Sequence, residues 1–286
     1  MSLNNKIDFA VIFNVKNANP NGDPLNSNRP RTTYENYGEM SDVCIKRKIR
    51  NRLLEMKKDI FVQSDDNRVD EYGSLKARAD AFLPSVIKPK DLIQKACEKW
   101  FDVRAFGQLF AFKAKGGSKG KDTENSGDDK GVSIGIRGPV SIQSAFSIAP
   151  VSITSSQITK SVSSEGDGKT RGSDTMGMKH RVDQGTYIFF GSMNPQLAVK
   201  TGFSDEDAEV IKSILPRLFE NDESAARPSG SMEVLKVIWW HHNCPSGQTS
   251  SAKVHRSLHL STKGDFTVDL SFDKVGGPNP EVIEGY

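Results

Sequence analysis

The chain is predicted to be an α+β protein whose core elements run strand, helix, strand, strand, helix, strand, and three features carry that expectation. Ile7, Phe9, Val11, Phe13 and Val15 alternate along Lys6–Val15, the period of two that a half-buried strand requires. Ser41–Leu54 follows as a capped helix, with Ile45, Ile49 and Leu53 on one stripe. A second round is written in Tyr187–Phe190, an acidic-headed helix after Ser204, and Val234–Trp240. This order is the split βαβ, ferredoxin-like plan, with long insertions after the first helix and between the middle strands. Sheets of that kind often serve single-stranded RNA.

The first strand runs into Asn17-Ala18-Asn19-Pro20-Asn21-Gly22-Asp23-Pro24, a concentration of turn formers. A long polar loop with Arg29, Pro30 and Arg31 then feeds the helix, where Ser41 or Asp42 is the N-cap. Lys46, Arg47, Lys48, Arg50 and Arg52 place five cations in seven residues. Lys46, Arg47 and Arg50 fall off the apolar stripe, so the basic face is expected to meet solvent and be free for a partner. Asn51 to Phe112 mixes pieces: a polar turn at Ser64–Arg68, one helix over Pro89–Phe101, and a further apolar segment over Val103–Phe112.

Lys113–Gly131 has almost no apolar residue and reads as a mobile surface loop. It is an insertion rather than a domain linker, because neither half alone shows a complete alternation of elements. Val132–Arg137 is a short strand closed by Gly138-Pro139. Gln143 to Asp183 is small and polar, ending Met176-Gly177-Met178-Lys179-His180-Arg181, and Tyr187–Phe190 is a compact strand between Gly185 and Gly191. The second helix has Ser204 as N-cap, Asp205, Glu206 and Asp207 in its first turn, and Val210, Ile211, Ile214, Leu215 and Leu218 on its buried side. Pro216 kinks or shortens it. Two weaker strands, Val254–Leu260 and Phe266–Phe272, precede a Gly-Pro tail.

At 286 residues the chain is long enough for a sizeable core, and 36% hydrophobic with 26% charged residues excludes global disorder. The formal net charge is only +3, so a polyanion site must arise from local clustering. Three separated cysteines, Cys44, Cys97 and Cys244, point to reduced thiols in the cytoplasm. No apolar run approaches the ~18 residues of a membrane span.

Cations just past a stiff loop at a strand end suit a phosphate chain, because charge-assisted hydrogen bonds to phosphate are strong and sequence-blind. Arg29 and Arg31 add two more donors to Lys46, Arg47, Lys48 and Arg50. Asn19, Asn21 and Gly22 shape the loop, with Gly22 letting backbone approach nucleic acid closely. The bland alternative is a solvated helix face. Met176 and Met178 suit a wedge between unstacked bases, with Lys179, His180 and Arg181 beside them on phosphate; the alternative is a plain surface loop.

His241, His242, Cys244, His255 and His259 invite a zinc reading. No second cysteine stands at finger-like spacing, so surface or interface histidines without metal are expected. Nuclease chemistry needs paired carboxylates for a divalent ion, whereas Asp23 is the one acid of its loop and is expected to cap the turn. Asp122, Glu124, Asp128 and Asp129 lie in a tract unsuited to ligation.

The run Asn19 to Pro24 with Asn28-Arg29-Pro30-Arg31, then Ser41 to Arg50, resembles the repeated backbone subunit of CRISPR type I Cascade complexes. The likeness is to the type I-C (Csd-two) member of the Cas7 family, in the RAMP superfamily. Asp102-Val103-Arg104-Ala105-Phe106-Gly107, Gly135-Ile136-Arg137-Gly138-Pro139-Val140 and Ser224-Ala225-Ala226-Arg227 are similar too. The resemblance implies a single RRM-like palm over 1–286, a finger-like insertion at about 58–131 and a thumb-like one at about 139–184. It implies a non-catalytic cytoplasmic subunit without cofactor that polymerises as a helical filament along crRNA, with Arg137 among the contacts. Base pairing reads the target DNA strand, and the partners are further copies, a guide-processing cap subunit and a large subunit, with no membrane. The alternative function is a metal-dependent ribonuclease acting on guide precursor or target RNA.

Overall fold

A computed structural model describes residues 1–83, 88–112, 132–159, 176–261, 265–268 and 276–286. Strand β1 (Ile7–Ala18) lies inside an eight-stranded sheet and is buried on both faces, not one as its alternation suggests. Ile7, Phe9, Val11, Phe13 and Val15 enter the main core. Ala10 and Ile12 are also apolar, and they fill a second layer with Ile238, Trp240, Val254 and Leu258. The chain continues through the two-strand ladder β2 (Gly22–Asp23) and β3 (Arg29–Pro30). Within the predicted polar loop it then forms β4 (Tyr37–Met40), before helix α1 (Asp42–Glu55) packs Ile45, Ile49 and Leu53 on the sheet.

A separate small core follows. Helices α2 (Leu75–Phe82), α3 (Pro89–Lys99) and α4 (Phe101–Phe106) pack with the hairpin β5 (Gly107–Phe112) and β6 (Val132–Arg137) around Phe61, Trp100 and Phe110. The helix predicted over Pro89–Phe101 stops at Lys99, because Trp100 is extended at φ −110 and ψ 120. The apolar segment Val103–Phe112 changes from helix to strand at Gly107, whose φ is +81. A Cβ at Gly107 would stand 2.2 Å from the Ile136 carbonyl oxygen, and one at Gly138 would stand 2.3 Å from that of Ala105. Two of the singled-out stretches thus cross backbone to backbone, which only glycine permits. The predicted loop Lys113–Gly131 lies outside the described residues.

Strands β7 (Val140–Ile142), β8 (Ala145–Pro150) and β9 (Ile153–Thr159) all pair antiparallel with β10 (Met176–Met193). Only Tyr187–Phe190 is apolar enough to be predicted as strand, yet β10 runs for 18 residues. Its ladders with β1 and β9 satisfy the backbone groups whatever the side chains. Residues 160–175, in the middle of the predicted thumb, lie outside the described residues.

Helices α5 (Pro195–Thr201) and α6 (Asp205–Ile214) return the chain; Ser204 and Asp207 form a capping box, and Pro216 sits in the 3-10 turn that ends α6. Strand β11 (Met232–His241) pairs with the other edge of β1. The weak strand predicted over Val254–Leu260 is instead helix α7 (Ser251–Arg256) followed by β12 (Leu258–Leu260), which pairs with β13 (Phe266–Val268). The tail carries an edge strand, β14 (Pro280–Glu284). The order is β14-β11-β1-β10-β8-β4, and Val254 and Leu258 cover part of the sheet face opposite α1. No described helix is long and apolar enough to cross a membrane.

Candidate nucleic-acid interface

The loop after β1 is held by its own asparagines. Asn19 donates from Nδ2 to the Asn28 carbonyl at 2.6 Å, and its backbone N–H donates to the Ala226 carbonyl at 2.8 Å. Asn21 Oδ1 accepts from both the N–H and the hydroxyl of Ser41, each at 2.9 Å, while Ser41 Oγ caps α1 by accepting from Cys44 N–H. The loop is therefore fastened to the helix N-terminus on one side and to the 224–227 turn on the other. Gly22 has a reason internal to the loop: a Cβ there would stand 3.0 Å from the Asn28 carbonyl oxygen. Asp23 caps the turn as expected, accepting from Leu25 N–H and, at 3.3 Å, from Arg31.

The basic face of α1 is not free. Lys46 pairs with Asp42 at 2.9 Å and Arg47 with Asp66 at 2.8 Å, and Arg52 pairs with Glu55. Lys48, 4% exposed, is held by Asp222. Arg50, 13% exposed, donates to Asp102, whose carboxylate also accepts the N–H groups of Phe61 and Val62. Lys48 stands three residues from Ile45 and Arg50 three from Leu53, near enough to the stripe for Phe219 and Asp222 to enclose the first and α4 the second. Arg47 alone among the five is half exposed, at 54%.

A groove of about 270 Å³ opens between these elements, lined by Asn21, Gly22, Arg47, Asn51, Asp66 and Arg227 among others. Arg227 Nε donates to Asp222 at 2.9 Å, so one carboxylate joins Arg227 to Lys48. No charge cluster marks Arg227 in the sequence; its only signal is the Ser224–Arg227 stretch. Cys44 also lines the groove as a neutral thiol, its pKa raised by burial. All three cysteines are free.

The β9–β10 ribbon divides the residues grouped by sequence. Strand alternation puts Met176, Met178 and His180 on one face and Lys179 and Arg181 on the other. Arg29 reaches the first of these faces, donating to Ser155 Oγ at 3.0 Å, and Ser155 Oγ lies 2.8 Å from His180 Nδ1. Met176 and Met178 are 63% and 53% exposed. Arg181 lies 3.6 Å from Asp183, and Arg137 is exposed at the end of β6, away from the groove lining. Arg104 is structural: it forks onto Asp207 with two 2.8 Å bonds and ties α4 to α6.

Two of the histidines are interior, contrary to expectation. His242 Nε2 lies 2.9 Å from the buried Asp8 carboxylate, and its Nδ1 accepts from Gln248 N–H. Nε2 therefore carries the proton and has no lone pair for a metal. His255 stacks on Phe190 with its Nε2 3.6 Å from Asp8. Together with Lys6 they hold Asp8 far below the ordinary carboxylate range despite its burial, pinning the 242–255 segment to β1.

The family model described as "CRISPR-associated protein Cas7" matches residues 5–275. A CRISPR-associated protein Cas7 from Haloferax volcanii is 25% identical, over 83% of this chain and 71% of that protein. A chain of a "CRISPR RNA-guided surveillance complex, pre-nicking" superposes with a TM-score of 0.51 at 13% identity, covering 82% of this chain and 77% of that one. A second surveillance-complex chain gives 0.41 at 15% identity, over 82% and 68%.

Proposed function

The chain belongs to the Cas7 family of CRISPR-associated proteins, and from that premise we propose that it is a guide-RNA-binding, self-associating backbone subunit of a surveillance complex of type I-C. In this reading it is a scaffold rather than an enzyme and holds crRNA open for pairing with target DNA. The sheet is a ferredoxin-like, RRM-like palm, a reading supported by the interleaved order β11-β1-β10-β8. The small core around Trp100 is the finger and the β9–β10 ribbon is the stem of the thumb.

The observation that carries the proposal is the groove where the Asn19–Arg31 loop, α1 and the 224–227 turn converge with Arg47 and Arg227 at its wall. Phosphate contacts there are blind to base identity, as a subunit accepting any guide must be. Arg29, Met176, Met178 and His180 continue the track along one face of the ribbon and Arg31 and Lys46 flank it, while Lys179 and Arg181 serve from the ribbon's opposite face and Arg137 from outside the groove lining. Lys48 and Arg50 act behind the surface, by holding its frame. The sheet face that RNA uses in open RRM folds is partly closed here by Val254 and Leu258, so the groove side is the platform.

The protein co-expressed with a repeat-spacer RNA is expected to form ordered helical oligomers by electron microscopy. Arg47→Glu is expected to weaken all single-stranded RNAs together by roughly tenfold, one lost charge-assisted contact. Wild-type affinity falls with a log–log salt slope of about −0.7 per phosphate engaged. Selective loss for one sequence, or affinity indifferent to salt, overturns the reading.

A further inference from the structure

The groove wall carries three cations, Arg47, Lys48 and Arg227, and three carboxylates, Asp66, Asp222 and Glu223. Lys48 and Arg227 share Asp222, and that pairing belongs to the fold. Arg47 differs. Its carboxylate partner Asp66 is 69% exposed and comes from the separate 3-10 turn Asp65–Asn67. Both Asp66 oxygens lie on one guanidinium nitrogen, at 2.8 and 3.1 Å. A phosphodiester instead offers its two non-bridging oxygens to two nitrogens of the planar guanidinium fork, a bidentate contact that this one-nitrogen pairing does not match. An exposed pair of this kind is held weakly, since water screens it and side-chain entropy opposes it, so a phosphate displaces the carboxylate at little cost.

We infer that Asp66 is an affinity-setting residue that competes with backbone phosphate for Arg47, occupying the guanidinium when no nucleic acid is bound. The inference rests on the reading of this groove as the sugar–phosphate site. It explains how a groove rimmed by an arginine is electrically balanced when empty, in a chain whose net charge is only +3. Binding then requires an exchange of anions at Arg47, and each copy grips less tightly than its arginine alone allows.

The test is the affinity of the full chain for a fluorescent oligouridylate, measured by anisotropy across a salt series. Asp66→Asn is expected to tighten binding by about two- to five-fold, the worth of one exposed pair, and to leave the salt slope nearly unchanged, because the same phosphates are engaged with or without the competitor. Asp65→Asn removes the same charge from the same turn without touching Arg47 and is expected to do less. In an Arg47→Ala background the gain from Asp66→Asn is expected to vanish. Equal gains from Asp65→Asn and Asp66→Asn, or a gain that survives Arg47→Ala, overturn the competition. Weakening by Arg47→Ala with no gain from Asp66→Asn also overturns it, while leaving the groove as the RNA site. No effect of Arg47→Ala removes the groove reading and this inference together. Thermal melts confirm that every variant is folded.

Discussion

Arg50→Ala is expected to cost about 3–5 kcal/mol of folding stability, the usual consequence of leaving one partner of a buried ion pair alone, and to lower the melting temperature by roughly 10 °C. Asp102 is 1% exposed at its side chain and its carboxylate meets Arg50 Nε at 2.8 Å. Without the guanidinium, a charge in the interior keeps only the N–H groups of Phe61 and Val62. The pair also joins the two cores, since Arg50 belongs to α1 while Phe61 opens the Trp100 cluster. Arg50 further lies 5.2 Å from the Phe106 ring centroid. Urea denaturation measures the loss, and the folded fraction is expected to bind RNA as wild type does. A loss under about 1 kcal/mol with a large fall in RNA affinity would return Arg50 to the surface role its place among the cations suggests.

That contrast shows what the residues made legible. Ser41, Ile45, Ile49 and Leu53 announce α1 because cap chemistry and a 3.6-residue period are local signals. The capping box at Ser204 and Asp207 and the stop at Pro216 are local as well. What failed depends on distant partners. The carboxylates of Asp66, Asp102 and Asp222 that occupy Arg47, Arg50 and Lys48 come from 19, 52 and 174 residues away, and no pattern within α1 discloses them; only Asp42 and Glu55, the partners of Lys46 and Arg52, lie within the helix. The length of β10 and the second buried face of β1 follow from neighbours in the sheet, not from composition. Asn19 and Asn21 were visible as turn formers, but their attachment to Ala226 and Ser41 was not. Arg227 became a groove residue only through that attachment.

Asp222→Ala is expected to be as costly as Arg50→Ala, roughly 3–5 kcal/mol, because it strands the enclosed Lys48. Desolvation by burial already holds the Lys48 ammonium below the ordinary lysine range, and Asp222 is the main force opposing that shift. The sign of the pH dependence follows. With a folded pKa below the unfolded one, the unfolded chain binds more protons between the two values, so stability rises with pH through that window. The cost is fully present below the folded pKa. Asp222→Ala widens the window, and the deficit of the variant is expected to shrink as pH rises from neutral toward the alkaline range. The double variant Lys48→Met/Asp222→Asn removes the buried charge and keeps an amide oxygen for Arg227, so it is expected to recover most of the loss. Urea denaturation at two pH values checks both results, and a deficit that grows with pH sinks the account. RNA binding then separates framework from contact: the double variant is expected to bind like wild type, whereas Arg47→Glu keeps its stability and loses roughly tenfold in RNA affinity.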